Sequence, residues 1–431
     1  FLDMDDLIEK SFIFISKKEE LGLTNQNKKF FDFNEANAYS EKLGDLLLQG
    51  WSSQSEERKL DFYKWNSENS WIEDYSTFTV IREEFNMMPW WQWPKEFKLK
   101  NNKFLKSWIK KKSEKILIKK LIQWHLDKQW KDIKNFAKLC NVKLIGDLPF
   151  YVSWDSADVW SNKSLFSIFK NGTLIFQSGV PPDYFSSTGQ LWGTPTYFWS
   201  KHKNTNFYWW RNRFKRQFEL MDLLRLDHFR GLAGYWRVNG NSKTAISGKW
   251  ISSPGRSLLS KLKFDLGTEY LPIIAEDLGV ITPDVEKLRK NFKLPGMKIL
   301  QFAFDGNKDN PYLPRNINGE NWVVYTGTHD NSTSISWWDS LESNSKKRIR
   351  DEYKFSEDPS WSLIEIGMKT DANLFIAPIQ DILSLDDSSR LNIPGTTKNN
   401  WKWKLNRPLE EIEDKITIFS ELGNKFRRTR K

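Results

Sequence analysis

Three carboxylates in this chain sit in settings that could do chemistry. Asp227 lies in the run LLRLDHFRGL between Arg225 and His228, with Arg230 just beyond. A cation beside a carboxylate favours the ionised form, the state a nucleophile needs. Glu276 closes the apolar run LPIIAE, and apolar surroundings favour the protonated form, the state a general acid needs. His329 and Asp330 close WVVYTGTHD, where a third carboxylate could hold sugar hydroxyls and the imidazole could donate to them. Asp227 and Glu276 are separated by about one strand, one helix and a second strand, so neighbouring strands would present them together. Two carboxyls roughly 5 Å apart are the arrangement of a retaining glycoside double displacement.

The elements that must position these groups follow from the apolar pattern. Six short apolar runs end in an acid: Lys143 to Asp147, Leu223 to Asp227, Leu271 to Glu276, Ile299 to Asp305, Trp322 to Asp330 and Leu374 to Asp381. Runs of this length, rich in Ile, Leu, Val and Phe and separated by helical periodicity, read as buried parallel strands joined by helices. Carboxylates at the C-terminal ends of such strands predict an α/β fold of the (β/α)8 type with an acidic mouth.

Residues 10–140 carry helical patterns and no strand followed by an acid; Ile118, Ile122, Leu126, Trp130, Ile133 and Ala137 fall on one helical face. This part is expected to be a helical insertion on a single catalytic domain spanning residues 1–431, with a last amphipathic helix over 409–422. No internal repeat or low-complexity linker divides the chain.

Composition excludes several alternatives. The chain has 431 residues and a formal net charge of +11, but its lysines are scattered through helix-like segments while the strand ends carry acids. That distribution reads as a solvated basic surface, including the tail Arg427 to Lys431, and not as a nucleic-acid site. A single cysteine, Cys140, excludes a disulfide framework and suits a reducing compartment. With no signal-peptide pattern and no apolar run of about 18 residues, a cytoplasmic protein that meets no membrane is expected. Cys140 lies in a helix-like run and reads as buried. No Cys/His cluster has zinc spacing and no glycine-rich loop suits a nucleotide, so neither metal nor organic cofactor is expected.

Tryptophan is in excess. There are 23 Trp against 12 Tyr, and several lie in polar, Gly- and Pro-marked segments: Trp90, Trp91, Trp93, Trp192, Trp401 and Trp403. An indole face suits the C–H face of a pyranose, yet most of these are expected in the core, and only those beside the acidic strand ends are functional candidates. Of four histidines, His228 and His329 flank the trio, whereas His125 and His202 read as structural or exposed. Asp147 and Asp381, taken alone, read as helix caps or ion-pair partners; Asp147 is kept as a candidate substrate contact.

The motifs IGDLPFYVSWDSADVW from Ile145, GVPPDYFSSTGQLWGTPTY from Gly179, RLDHFRG from Arg225, AEDLG from Ala275 and THDN from Thr328 resemble the 4-alpha-glucanotransferases, also called amylomaltases or disproportionating enzymes, of glycoside hydrolase family 77. WIEDYSTF from Trp71, LQFAFD from Leu300 and RLNIPGT from Arg390 extend the resemblance over nearly the whole chain. It implies Asp227 as nucleophile, Glu276 as acid/base and Asp330 as the carboxylate that stabilises the transition state. Arg225, His228 and His329 match positions that bind the sugar at the cleavage point, and Asp305 and Asn392 match further substrate contacts. Residues 179–195 match a mobile lid in which Asp183, Gln190 and Trp192 touch substrate. The residues agree with that: Gly179, Pro181, Pro182, Gly189, Gly193 and Pro195 bracket polar and aromatic side chains, as in a long functional loop.

The opening FLDMDDL resembles the stretch just after the family's second strand, and six strand candidates stand where a closed barrel needs about eight. The first two barrel strands are therefore expected to be missing from this chain. The expected activity is transfer of an alpha-1,4-glucan segment to another glucan. A retaining alpha-glucan hydrolase would use the same trio, and a glucan-binding remnant without activity would need none of it.

Overall fold

Five of the six apolar runs form strands, the run from Ile299 being strand at its first residue only, and where each strand stops decides how far its acid stands from the sheet. The computed structural model describes residues 2–14, 30–182, 186–319 and 321–428. The chain divides into two compact units, residues 1–24 with 34–272 and residues 25–33 with 273–431.

In the first unit a run of helices precedes the first strand. Helix Phe33–Trp51 buries Leu43, Leu46 and Leu47, and these pack with Leu7, Phe12, Phe62, Leu121, Ile122 and Trp124 in one apolar cluster. The long helix Ser113–Leu139 supplies the last three. Its buried residues are Ile116, Leu121, Ile122, Trp124, His125 and Ala137, so the buried stripe is offset from the expected face, and Ile133 points to solvent. His125 is wedged between Phe12 and Trp124, with ring centroids at 4.4 and 4.7 Å. Burial, reinforced by Lys128, pushes its pKa down to about 3. His202 is also buried; its Nε2 lies 3.2 Å from the Leu165 carbonyl, and burial pushes its pKa down to about 4. Cys140, expected inside, is exposed because it follows the last helical residue, where the chain has left the packed stripe.

The strands of this unit are β1 (Ile145–Leu148), β2 (Phe176–Val180), β3 (Gln190–Pro195), β4 (Leu223–Leu226), β5 (Gly234–Asn239) and β6 (Gly248–Ser252). β1 and β4 pair in parallel with Asp147 opposite Arg225, and helix Tyr208–Leu220 leads into β4. The other four form an antiparallel sheet in the order β3-β2-β5-β6, which the apolar pattern did not predict. Residues 179–195, read as a loop, therefore start and end in strands. Gly179 is required there, since a Cβ would stand 2.2 Å from the Gln190 carbonyl oxygen. Gly189 turns the chain with φ +66°.

The second unit holds β7 (Ile273–Ala275), β8 (Gly296–Ile299), β9 (Trp322–Tyr325) and β10 (Leu374–Ile376). β8, β9 and β10 pair in parallel, β9 central. Helix Pro283–Asn291 follows β7, with Pro at its first turn, Asp284 and Glu286 beside it and Arg289 and Lys290 in the last turn, the order the helix dipole favours. The fold is thus α/β, with ten strands among the described residues where six were expected.

Three further expectations need correction. The run ILQFAFD is strand only at Ile299; Leu300–Phe302 is a 3-10 turn, and Leu300 in it is buried with Ala303 and Phe304 just beyond it. The last helix is Glu413–Lys425, entered through a 3-10 turn at Leu409–Ile412. Nor is the basic tail simply solvated. Arg428 donates to the carbonyls of Met368, Thr370 and Ala372, closing backbone acceptors near the end of helix Pro359–Met368.

Asp381 ends no strand. It lies in helix Ile379–Ile382, fully buried, where its carboxylate accepts from the Thr326 hydroxyl at 2.5 Å and from the Ser334 N–H and hydroxyl at 2.8 and 2.7 Å. That bears out its structural reading. Asp381→Ala would leave three buried donors without an acceptor. It should lower the urea-unfolding free energy by on the order of 2–4 kcal/mol, and an unchanged denaturation midpoint would refute this account.

Candidate active site

In the first unit the parallel register of β1 and β4 builds the charged centre. Because Asp147 faces Arg225 across the strand pair, one guanidinium can bridge two carboxylates. Arg225 Nη1 donates to Asp147 Oδ1 and Oδ2 at 2.7 and 2.6 Å, and Nη2 donates to Asp227 Oδ1 at 2.9 Å. Arg225 is buried, so the attraction is weakly screened, while both carboxylates remain about half exposed. Asp227 immediately follows β4, and its N–H is held by the Leu148 carbonyl at 3.0 Å. The centre therefore presents an oriented, charge-stabilised carboxylate directly after β4.

His228 follows in the left-handed region, φ +50°, a conformation uncommon for a non-glycine residue and often found at functional sites. Its ring lies edge-on to Trp192 at 4.9 Å and near Tyr151 at 5.9 Å. Burial, with Arg230 adding to it, pushes its pKa down to about 4, so the ring is neutral near pH 7. Gln190 and Trp192 lie on β3, and Trp192 keeps a partly exposed indole. Asp183 lies outside the described residues.

In the second unit Glu276 is the residue directly after β7. Its Oε1 accepts from the Leu278 N–H at 3.0 Å. Asp277 is pinned by the buried Arg289, 3.1 Å away, and by the Met297 N–H at 2.8 Å. Burial followed by the charges of Asp277 and Glu276 pushes the Tyr312 phenol up to about 12. The side chain after the candidate acid/base is therefore rigidly held.

Asp330 stands five residues beyond β9 and takes its position from a neighbouring loop. Asn392 Nδ2 donates to its Oδ1 at 2.6 Å, and His329 Nε2 lies 3.4 Å from its Oδ2. Arg390 secures the loop by donating to the carbonyls of Asp330 and Asn392 at 2.6 and 2.9 Å and to the Ser332 hydroxyl at 3.1 Å. Asp305 is exposed in a turn and accepts from the Asn307 N–H at 2.9 Å.

Two clusters thus form: Asp147, Arg225 and Asp227, with His228 and Trp192 close by; and His329, Asp330 and Asn392. Tyr151, Asp277 and Arg390 were not singled out as site residues. Arg390 stands two residues before Asn392 in RLNIPGT, and Asp277 directly follows Glu276, so sequence proximity was the available signal for both. Of the candidate indoles, Trp90 and Trp93 are in the core, and Trp91 is stacked on Trp154 at 3.6 Å. Trp192 and Trp401 are exposed, each beside a site histidine. Among the described residues, no group of three His, Cys, Asp or Glu is placed to hold a metal ion.

A family model described as 4-alpha-glucanotransferase matches residues 1–410. A 4-alpha-glucanotransferase of Synechocystis sp. is 42% identical, the match covering 78% of this chain and 67% of that protein. The Clostridium butyricum 4-alpha-glucanotransferase is 38% identical, with 99% of this chain and 86% of that one covered. Among solved structures, the amylomaltase from Streptococcus agalactiae in complex with acarbose superposes with a TM-score of 0.93 at 30% identity, covering 100% of this chain and 86% of that one. The chain belongs to the 4-alpha-glucanotransferase family.

Proposed function

We propose that this protein is a 4-alpha-glucanotransferase that moves a segment of an alpha-1,4-glucan to the 4-hydroxyl of another glucan or of glucose. The observation that carries the reading is the Asp227 carboxylate directly after β4, to which Arg225 donates, within a chain matched to this family over residues 1–410.

Asp227 attacks the anomeric carbon while Glu276 gives a proton to the departing glycosidic oxygen. A glycosyl ester on Asp227 results. Glu276, now a carboxylate, takes the proton from the acceptor's 4-hydroxyl as that oxygen attacks, and configuration is retained. Asp330, held by Asn392, stabilises the charge that develops on the sugar. Asp147 holds Arg225 and so acts through it. His228, His329, Asp305, Gln190 and Trp192 bind the sugars. The two-carboxylate route needs no metal or organic cofactor.

The catalytic domain we propose is a (β/α)8 barrel in which residues 10–140 are an insertion and the hairpin region 179–195 a lid that excludes water. Parallel pairing of β1 with β4 and of β8, β9 and β10 supports it. A reducing, cytoplasmic setting suits the exposed thiol of Cys140, and no described helix is long and apolar enough to cross a membrane.

Incubated with maltotriose, the enzyme should release glucose and build a ladder of longer maltooligosaccharides. Chromatography that finds only glucose and maltose would replace transfer with hydrolysis.

A further inference from the structure

Trp401 combines features that the core does not explain. Its backbone lies in the left-handed region with φ +60°, an outlier for a bulky side chain and one that persists only where surrounding bonds impose it. Those bonds are present. The Trp401 N–H donates to the Leu391 carbonyl at 2.7 Å, and the Asn392 N–H donates to the His329 carbonyl at 3.1 Å. Asn400 crosses the loop, accepting from the Ile393 N–H at 3.1 Å and donating to the Thr396 carbonyl at 3.0 Å. This tightly closed loop does not bury the indole, which is 51% exposed. Its ring neighbour is His329, at 5.2 Å and a tilt of 40°. The same loop carries Asn392, whose amide holds Asp330.

A large apolar ring kept in water by a strained backbone, beside a histidine and a carboxylate that bind sugar, calls for an apolar ligand face. Pyranose rings offer such a face through their axial C–H groups. We propose that the Trp401 indole is a stacking platform for a glucosyl unit next to the one held by His329 and Asp330, and so determines affinity for longer alpha-1,4-glucans. The inference rests on the transferase reading above. It adds a substrate-positioning surface to the roles proposed there.

The test uses Trp401→Ala and Trp401→Phe with maltoheptaose as probe. Trp401→Ala should raise KM for maltoheptaose about tenfold or more, the usual scale for losing one aromatic stack. Its kcat should stay within about twofold, its pH profile should not move, and Trp401→Phe should recover most of the loss. Calorimetry in the Asp227→Asn background should show the same loss of affinity without turnover, which keeps binding separate from the reaction type. If kcat falls and the pH profile shifts while KM holds, Trp401 merely props His329 and the proposal is overturned. It is overturned equally by an unchanged dissociation constant in both variants, or by no binding of maltoheptaose to the Asp227→Asn parent. Should the wild type only hydrolyse maltotriose while Trp401→Ala still weakens maltoheptaose binding, the platform stands and the transferase reading falls.

Discussion

Asp227→Asn should abolish glucan transfer, lowering kcat by on the order of 10⁴-fold or more, the scale seen when a covalent nucleophile is removed. An amide cannot form the glycosyl ester, and it also loses the charge that Arg225 stabilises from 2.9 Å. Glu276→Gln should behave differently. It removes only the proton donor, so a natural glucan is cleaved slowly while a glucosyl fluoride, whose leaving group needs no proton, still glycosylates Asp227. The ester then waits for an acceptor that nothing deprotonates, and mass spectrometry of the intact Glu276→Gln protein should find one added glucosyl unit. Trapping on the Asp227→Asn protein instead, with none on Glu276→Gln, would exchange the two roles.

A large loss of stability is expected on mild acidification. His125, His202 and His228 have pKa values pushed down to about 3, 4 and 4 by burial, against about 6.5 in an unfolded chain. The unfolded state therefore binds more protons below pH 6.5, and stability present above that pH is lost as pH falls toward the folded values. By pH 4.5 each ring should have cost about 2.5 kcal/mol, which together is a large part of a typical folding free energy. Urea midpoints measured between pH 7 and 4.5 should fall steeply. His125→Phe, which keeps an aromatic ring between Phe12 and Trp124, should flatten the slope. Midpoints independent of pH over that range would mean that these rings are protonated in the folded protein.

What could be read from the residues alone was what leaves a local trace. Strands β1, β4, β7, β9 and β10 were legible because each lies in a short apolar run, whereas β8, Gly296–Ile299, lies almost wholly before the run read there. The acids after β4 and β7 were legible because they directly follow such runs. The amphipathic stripe of the helix before β1 was legible in kind but not in phase. Local pattern failed for β2, β3, β5 and β6, whose residues include Gln177, Thr194, Arg237 and Lys249. Partly solvated antiparallel strands are held by pairing with distant segments, and that pairing writes no apolar run.

The same limit governs the site. The sequence placed Asp227 next to a cation, but the β1–β4 register alone made Arg225 shared between Asp147 and Asp227. It put acids after the runs ending near 305 and 381, yet one run breaks into a turn and the other acid turns inward to satisfy Thr326 and Ser334. It counted the tryptophans without separating Trp90 and Trp93, which fill the core, from Trp192 and Trp401, which stand beside His228 and His329. Residue type and spacing determined which groups could react and which runs could be strands. Register, burial and loop closure decided which groups meet, because those depend on contacts between residues far apart in the chain.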